Sequence, residues 1–267
     1  MPTPTTSPDP TRAAGSAASW LRTLHAPPRP GTRLVCFPHA GGAASFFRGW
    51  PALLPADTEV LAVRYPGRED RILEEPVTSM AELAGPVADA LAALPALPTA
   101  YFGHSMGASV AYETALRQGS QAGPRLLAVS GRAAPHRLPV FGFDDDAALL
   151  ADVRRRGGPL APALDDPDLT ELVLPALRAD YGLLRRYTAE ARAERLDIPV
   201  IAYYGDADTD VPAADVVAWA DVAAPGTFTA RAFPGDHFYL VPHAADLVGD
   251  LTAHLVPLSL PPARRNA

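Results

Sequence analysis

The sequence predicts an α/β protein: one mostly parallel sheet with helices on both faces, interrupted by a helical insertion. Three observations predict it. Short apolar runs of strand length alternate with amphipathic stretches of helix length along most of the 267 residues, the pattern of strands buried on both faces. Two of those runs end in glycine-rich turns, one after Phe37 and one after Phe102. A segment at about 133–195 breaks the rhythm with two helical stretches and no strand. With 48% hydrophobic residues, a chain of this length buries roughly 75% of the surface it exposes when unfolded. That composition excludes a disordered protein.

The elements follow in order. Residues 1–17 are mostly Pro, Thr, Ser and Ala and read as a flexible tail, as do residues 261–267, leaving a single domain at 18–260. Leu34-Val35-Cys36-Phe37 is a first strand feeding Pro-His-Ala-Gly-Gly, and Glu59-Val60-Leu61-Ala62-Val63 is a second. Ser79 opens a helix to about Leu94, with Glu82 placed to complete a capping box; Pro86 is expected to kink it or delay its start. Thr99-Ala100-Tyr101-Phe102 is a third strand, followed at once by Gly-His-Ser-Met-Gly and a helix through Arg117. Arg125 to Ser130, Ile198 to Tyr204 and Phe228 to Phe233 supply three more strands. The last two lead into helices at about 213–221 and 244–254. In the insertion, 146–156 and 168–188 read as helices; such an insertion is a natural lid, with long crossover helices as the alternative. Cys36, Trp50 and Trp219 read as packing residues.

Charge and composition narrow the function. A net charge of −7 argues against a nucleic-acid binder. All 23 basic residues are arginine, so Schiff-base and lysine P-loop mechanisms are impossible. One cysteine excludes an intramolecular disulfide framework and cysteine-based metal or cluster sites. No apolar run is long enough to span a membrane, and the N-terminus lacks the apolar core of a secretory signal. The expected setting is the cytoplasm, and the expected state is a monomer without metal or organic cofactor.

The chemistry is carried by Gly103-His104-Ser105-Met106-Gly107, a G-x-S-x-G pattern between an apolar strand and a helix. In that context it is a nucleophile elbow, whose sharp turn lifts the serine hydroxyl above the sheet edge. The flanking glycines are expected because Cβ atoms there would strike neighbouring backbone. In an elbow of this kind the chain order is serine, acid, histidine. Past the insertion only His237, His243 and His254 remain; His237 lies in the turn after the last strand, while the other two fall on helical surface. Gly205-Asp206-Ala207-Asp208-Thr209-Asp210 offers three carboxylates after the preceding strand. Asp208 is the choice for the acid, with Asp206 and Asp210 as alternatives. An oxyanion hole needs two N–H donors, assigned to Met106, after the nucleophile, and Ala40, in the loop after the first strand.

Five segments together resemble the type II thioesterases, discrete α/β-hydrolases that accompany polyketide synthases and nonribosomal peptide synthetases. They are Phe-Pro-His-Ala-Gly-Gly (37–42), Tyr-Pro-Gly-Arg-Glu-Asp-Arg (65–71), Gly-His-Ser-Met-Gly (103–107), Gly-Asp-Ala-Asp (205–208) and Gly-Asp-His-Phe (235–238). The resemblance covers about residues 20–255. It implies a lid over a channel for a phosphopantetheine-tethered acyl group, a Ser105–Asp208–His237 triad, and removal of unwanted acyl groups from acyl or peptidyl carrier proteins. Asp236 departs from the family pattern, standing where many relatives carry a second glycine before the histidine.

Carrier proteins are usually acidic, so docking on this acidic chain calls for a local basic patch. Arg154, Arg155 and Arg156 in the insertion are candidates, together with Arg185 and Arg186 and with Arg64, Arg68 and Arg71 near the active edge; a solvated insertion face with scattered surface ion pairs is the equal alternative. Arg68 has a second reading, as a structural partner of Glu69 or Asp70. Rival functions on the same fold are an acyl-CoA thioesterase, a carboxylester hydrolase or a chain-releasing enzyme. A non-catalytic carrier-binding module is the rival from another class.

Overall fold

Six of the seven strands run parallel, and the strands in the middle of the sheet are mainly apolar, with Thr32, Arg33, Thr99, His104 and Ser130 toward their ends. A computed structural model describes residues 19–140 and 142–259. The strands are β1 Leu21–His25, β2 Thr32–Phe37, β3 Thr58–Val63, β4 Thr99–His104, β5 Leu126–Ser130, β6 Val200–Gly205 and β7 Phe228–Phe233. Their order across the sheet is β1-β3-β2-β4-β5-β6-β7, and β1 alone pairs antiparallel, against β3. Every residue of β2 and of β5 is buried, as strands covered on both faces require. Alternation divides the core: Val35, Phe37 and Tyr101 enter one cluster, while Leu34, Cys36 and Phe102 enter the other on the opposite face.

The helices are α1 Met80–Ala92, α2 Met106–Ala122, α3 Asp146–Arg156, α4 Pro167–Glu190, α5 Ala213–Val217 and α6 Ala244–Ser259. The α1 capping box forms as expected, Ser79 accepting from Glu82 N and Glu82 from Ser79 N. The helix starts at Met80 in spite of Pro86. Both insertion helices begin on aspartate caps: Asp145 accepts from Ala148 N, and Asp166 from Asp168 N and Leu169 N. α3 ends on Gly157, whose φ of 72° favours glycine. Leu149 and Val153 of α3 join Leu164 and Leu177 in a core of the insertion's own.

Three expectations need amending. β1 was not anticipated; its sequence, Leu-Arg-Thr-Leu-His, buries only Leu21, so an edge strand carries little apolar signal. The expected helix at 213–221 is α5 followed by a 3-10 turn at Ala218–Asp221. α6 continues past residue 254 to Ser259. The tails expected at 1–17 and 261–267 lie outside the described residues. Cys36, Trp50 and Trp219 are buried, and burial drives the Cys36 thiol far above its usual range. Among the described residues no helix is long and apolar enough to cross a membrane.

Candidate active site

Ser105 stands between β4 and α2 with φ 54° and ψ −118°, a region that a non-glycine residue enters only when its surroundings compel it. The compulsion is visible. Ser105 N–H donates to the Ser130 carbonyl on β5 at 2.8 Å, and the Ser105 carbonyl accepts from Ala108 N at 3.0 Å. A Cβ on Gly107 would overlap the Phe37 carbonyl, and one on Gly103 would overlap the Gly107 carbonyl. Both glycines are therefore demanded by close backbone approach. Met106, the first residue of α2, turns its side chain into the core, and its N–H belongs to the positive end of that helix.

The three carboxylates after β6 have three different partners. Asp208 Oδ2 meets His237 Nδ1 at 2.7 Å, and Asp208 Oδ1 accepts from Asp210 N at 3.0 Å. Asp206 Oδ1 accepts from Gly235 N at 3.0 Å, which ties the β6 turn to the β7 turn. Asp210 pairs with the guanidinium groups of Arg155 and Arg156. Burial alone would push the Asp208 carboxyl up, but its hydrogen bond to His237 and that group's charge outweigh burial and hold it below the usual range. Asp236, the departure from the family pattern, is exposed and accepts from Phe238 N within its own turn. His243 and His254 lie apart from this cluster: His243 faces Asp246 at 3.9 Å, and His254 Nδ1 donates to the Asp250 carbonyl.

Ser105, His237 and Ala40 border one cavity of about 70 Å³, roofed by Val153, Leu160, Tyr181 and Leu184 of the insertion. A wider groove of about 580 Å³ adjoins it, sharing His39 and Leu160 and running past Trp50 and Leu240.

Arg68 is not a docking residue. Its side chain is buried, and it grips Asp180 of α4 through two bonds, Nη1 to Oδ2 at 2.6 Å and Nη2 to Oδ1 at 2.8 Å. It also donates to the Gly42 carbonyl. Nor does it pair with Glu69 or Asp70: both bind Arg22, and Asp70 binds Arg64 as well. Arg71 spends its charge on Glu74 and lies over the Trp20 ring. The group at 154–156 is not a free basic patch either. Arg155 and Arg156 are shared between Asp152 and Asp210, and Arg156 faces the cavity. Arg154 is exposed and donates to the Leu164 carbonyl. Arg186 donates to the Thr78 carbonyl ahead of α1.

Serine before acid before histidine, each on a separate strand end, places this protein among the α/β-hydrolases. A sequence model described as the thioesterase domain matches residues 32–255, and the chain belongs to that family. It is 42% identical over 247 residues to thioesterase PikA5 of Streptomyces venezuelae, covering 89% of this chain and 85% of that one. It is 35% identical over 214 residues to gramicidin S biosynthesis protein GrsT of Aneurinibacillus migulanus, covering 78% and 82%. Among solved structures it superposes on BorB, a type II thioesterase from the borrelidin biosynthetic cluster, with a TM-score of 0.80 and 35% identity over 89% of this chain and 98% of the other.

The sequence reading missed four residues that shape the site. His39 and His104 are buried imidazoles that pack around His237 and Phe238, with the His104 and His237 ring centres 5.0 Å apart and those of His39 and Phe238 5.0 Å apart. Burial, then the charge of His237, lowers both: His39 is pushed down to about 3, and His104 lies well below the usual histidine range. Their signal was available, since each lies inside a motif already singled out. Asp180, which grips Arg68, and Arg132, which borders the cavity, had no such marker.

Proposed function

We propose that this thioesterase is a discrete editing enzyme that hydrolyses acyl groups from the phosphopantetheine arms of acyl or peptidyl carrier proteins, acting as a cytoplasmic monomer without metal or organic cofactor. The observation that supports it best is the Asp208–His237 contact, set beside a serine forced into an elbow under the helical insertion. In a chain of this family that arrangement is suited to acyl transfer from a thioester.

In this reading His237 takes the Ser105 proton as the oxygen attacks the thioester carbonyl, and Asp208 holds the imidazole by Nδ1 and stabilises its charge. The N–H groups of Ala40 and Met106 hold the tetrahedral oxyanion. Collapse breaks the carbon–sulfur bond, the thiol leaves with the proton from His237, and an acyl-Ser105 ester remains. Water, deprotonated by His237, attacks that ester, and its collapse releases the carboxylic acid and restores Ser105. The insertion serves as the lid. The groove past His39 and Trp50 suits the pantetheine arm, because it reaches the cavity from outside. Arg154, exposed and, among the described residues, bound only to the Leu164 carbonyl, is the docking cation for an acidic carrier. Reversing its charge should weaken activity on carrier-bound substrates and spare small thioesters; equal loss on both would refute the docking role.

Intact-mass measurement of an acyl-loaded carrier protein tests the main reading. The acyl mass should disappear with the wild type and persist with Ser105→Ala, the phosphopantetheine arm staying on the carrier. Should both leave it in place while the wild type cleaves simple esters, the carrier-editing role is wrong and an esterase role replaces it.

A further inference from the structure

The segment Tyr65-Pro66-Gly67-Arg68-Glu69 supplies no group to the proton transfers at Ser105, yet it bonds three times to the loop after β2. Tyr65 Oη donates to the Pro38 carbonyl at 3.2 Å, Arg68 Nη1 donates to the Gly42 carbonyl at 3.2 Å, and Glu69 Oε1 accepts from Ser45 N at 3.2 Å. Glu69 makes its contact from φ 48°. Among the described residues, Ser105 is the other non-glycine with positive φ. Such a conformation persists where the surroundings fix it.

The loop itself is a tight turn. Gly42 N–H donates to the His39 carbonyl at 2.9 Å, and Gly41, at φ 72°, takes the third position, which calls for glycine in a turn of this hand. The turn's own bond does not use the N–H of its second residue, Ala40, which borders the cavity with Ser105. The peptide units on either side of that N–H are both held. Tyr65 holds the preceding one by the Pro38 carbonyl, and Asp180 Oδ2 holds the following one by the Gly41 N–H at 2.7 Å. The two holders are themselves joined: Arg68 grips Asp180 and lies over the Tyr65 ring, its Cζ 5.3 Å from the centre.

Pro38 is also where this loop meets the nucleophile elbow. A Cβ on Gly107 would lie 2.6 Å from the Pro38 carbonyl oxygen, and Gly107 directly follows Met106, the second donor. That oxygen therefore stands between the Tyr65 hydroxyl and the turn that carries the Met106 N–H. Tyr65 is buried. Burial, then the charge of Asp180, raises its phenol well above the usual range, so it donates as a neutral hydroxyl.

We propose that Tyr65 is a positioning residue of the oxyanion hole: its hydroxyl fixes the Pro38 carbonyl and so sets the spacing of the Ala40 and Met106 N–H groups. The proposal rests on the reading of Ser105 as nucleophile and of those two N–H groups as the donors. Such donors stabilise the tetrahedral oxyanion only at the position it occupies, and a displacement of about 1 Å can cost about 100-fold in rate.

The experiment compares the wild type with Tyr65→Phe on the butyryl thioester of N-acetylcysteamine and on p-nitrophenyl butyrate. On both, kcat should fall about 10- to 100-fold while KM stays within about twofold. The inhibition constant of butyl trifluoromethyl ketone, whose adduct with the serine carries the oxyanion, should rise in proportion to the loss of kcat/KM. p-Aminophenylalanine in place of Tyr65, which still donates a hydrogen bond, should restore most of kcat. A packing role would lower Tm and leave kcat and the ketone affinity in place, which overturns the proposal. Should Tyr65→Phe not fold, p-fluorophenylalanine fills the space of the hydroxyl without donating, and a kcat equal to that of the p-amino variant overturns the proposal too. A crystal structure of the wild-type ketone adduct keeps this proposal apart from the reading beneath it. An adduct oxygen bonded to Ala40 N and Met106 N, with kcat unaffected in Tyr65→Phe, overturns the role of Tyr65 alone. An adduct oxygen bonded elsewhere overturns the donor assignment and the proposal with it.

Discussion

Arg68 and Asp180 meet in a buried two-point ion pair, and the Asp180 Oδ2 atom in that pair also accepts the backbone N–H of Gly41 at 2.7 Å. Gly41 directly follows Ala40, the residue assigned to the oxyanion hole, and Asp180 belongs to the long insertion helix α4. One carboxylate therefore fixes three things at once: the loop after β2, the segment that carries Arg68, and the cover of the cavity. Removing it should be costly. Asp180→Ala strands the Arg68 guanidinium, a loss of about 3–5 kcal/mol to be read from urea unfolding. The double variant Arg68→Met/Asp180→Leu should recover most of that stability. It should stay slow in kcat, because Gly41 N–H still lacks its acceptor.

The two buried imidazoles set a pH dependence of stability. In the folded protein His39 and His104 are held below the value of about 6.5 that each has in the unfolded chain. Between those values the unfolded chain binds more protons, so stability rises with pH there and is complete above about 6.5. As pH falls below about 6.5, each imidazole should remove up to about 1.4 kcal/mol per pH unit, and for His39 the loss should continue toward its folded value of about 3. His39→Phe, which keeps an aromatic ring among Phe46 and Phe238, should flatten the slope by one proton. Urea midpoints at a series of pH values give both slopes.

Crowding at the elbow gives a sharper test. Gly107→Ala drives a methyl group into the Phe37 carbonyl, which belongs to a central strand and cannot yield as a side chain would. The expected loss is about 3 kcal/mol or more, seen as a lowered Tm. Gly249→Ala, at a site where a Cβ meets nothing within 4 Å, should gain a few tenths of a kcal/mol from helix propensity, at most about 1.

The link between α3 and the β6 turn is of another kind. Arg155 and Arg156 hold Asp210 in a partly exposed cluster, so Asp210→Asn should change global stability by less than about 1 kcal/mol. Local opening of the insertion should respond more strongly. Hydrogen exchange in α3 is expected to accelerate severalfold, and the difference should shrink in high salt.

Much of this was legible because it is local. The central strands are continuous apolar runs, the Ser79–Glu82 box lies within one turn, and the elbow, acid and histidine each occupy a strand end whose position follows from the alternation. β1 was missed because an edge strand that buries one leucine looks like a loop. The reading of Arg68 failed for the opposite reason: Glu69 and Asp70 are its neighbours in sequence, whereas Asp180, 112 residues away, becomes its neighbour only when the insertion folds over the sheet. The partner of Arg155 and Arg156 was hidden in the same way, since Asp210, which pairs with both, is 55 residues from Arg155. Periodicity and motif spacing do not record which charges a fold will bring face to face.

The insertion holds both halves of the catalytic apparatus, through Asp180 at the oxyanion loop and through Arg155 and Arg156 at the turn that bears Asp208. It cannot be exchanged as an independent cassette. A chimera that borrows the corresponding segment of a relative to alter substrate choice would inherit a new chamber and lose the alignment beneath it, unless the graft also carries an aspartate for Gly41 and Arg68 and a cation for Asp210.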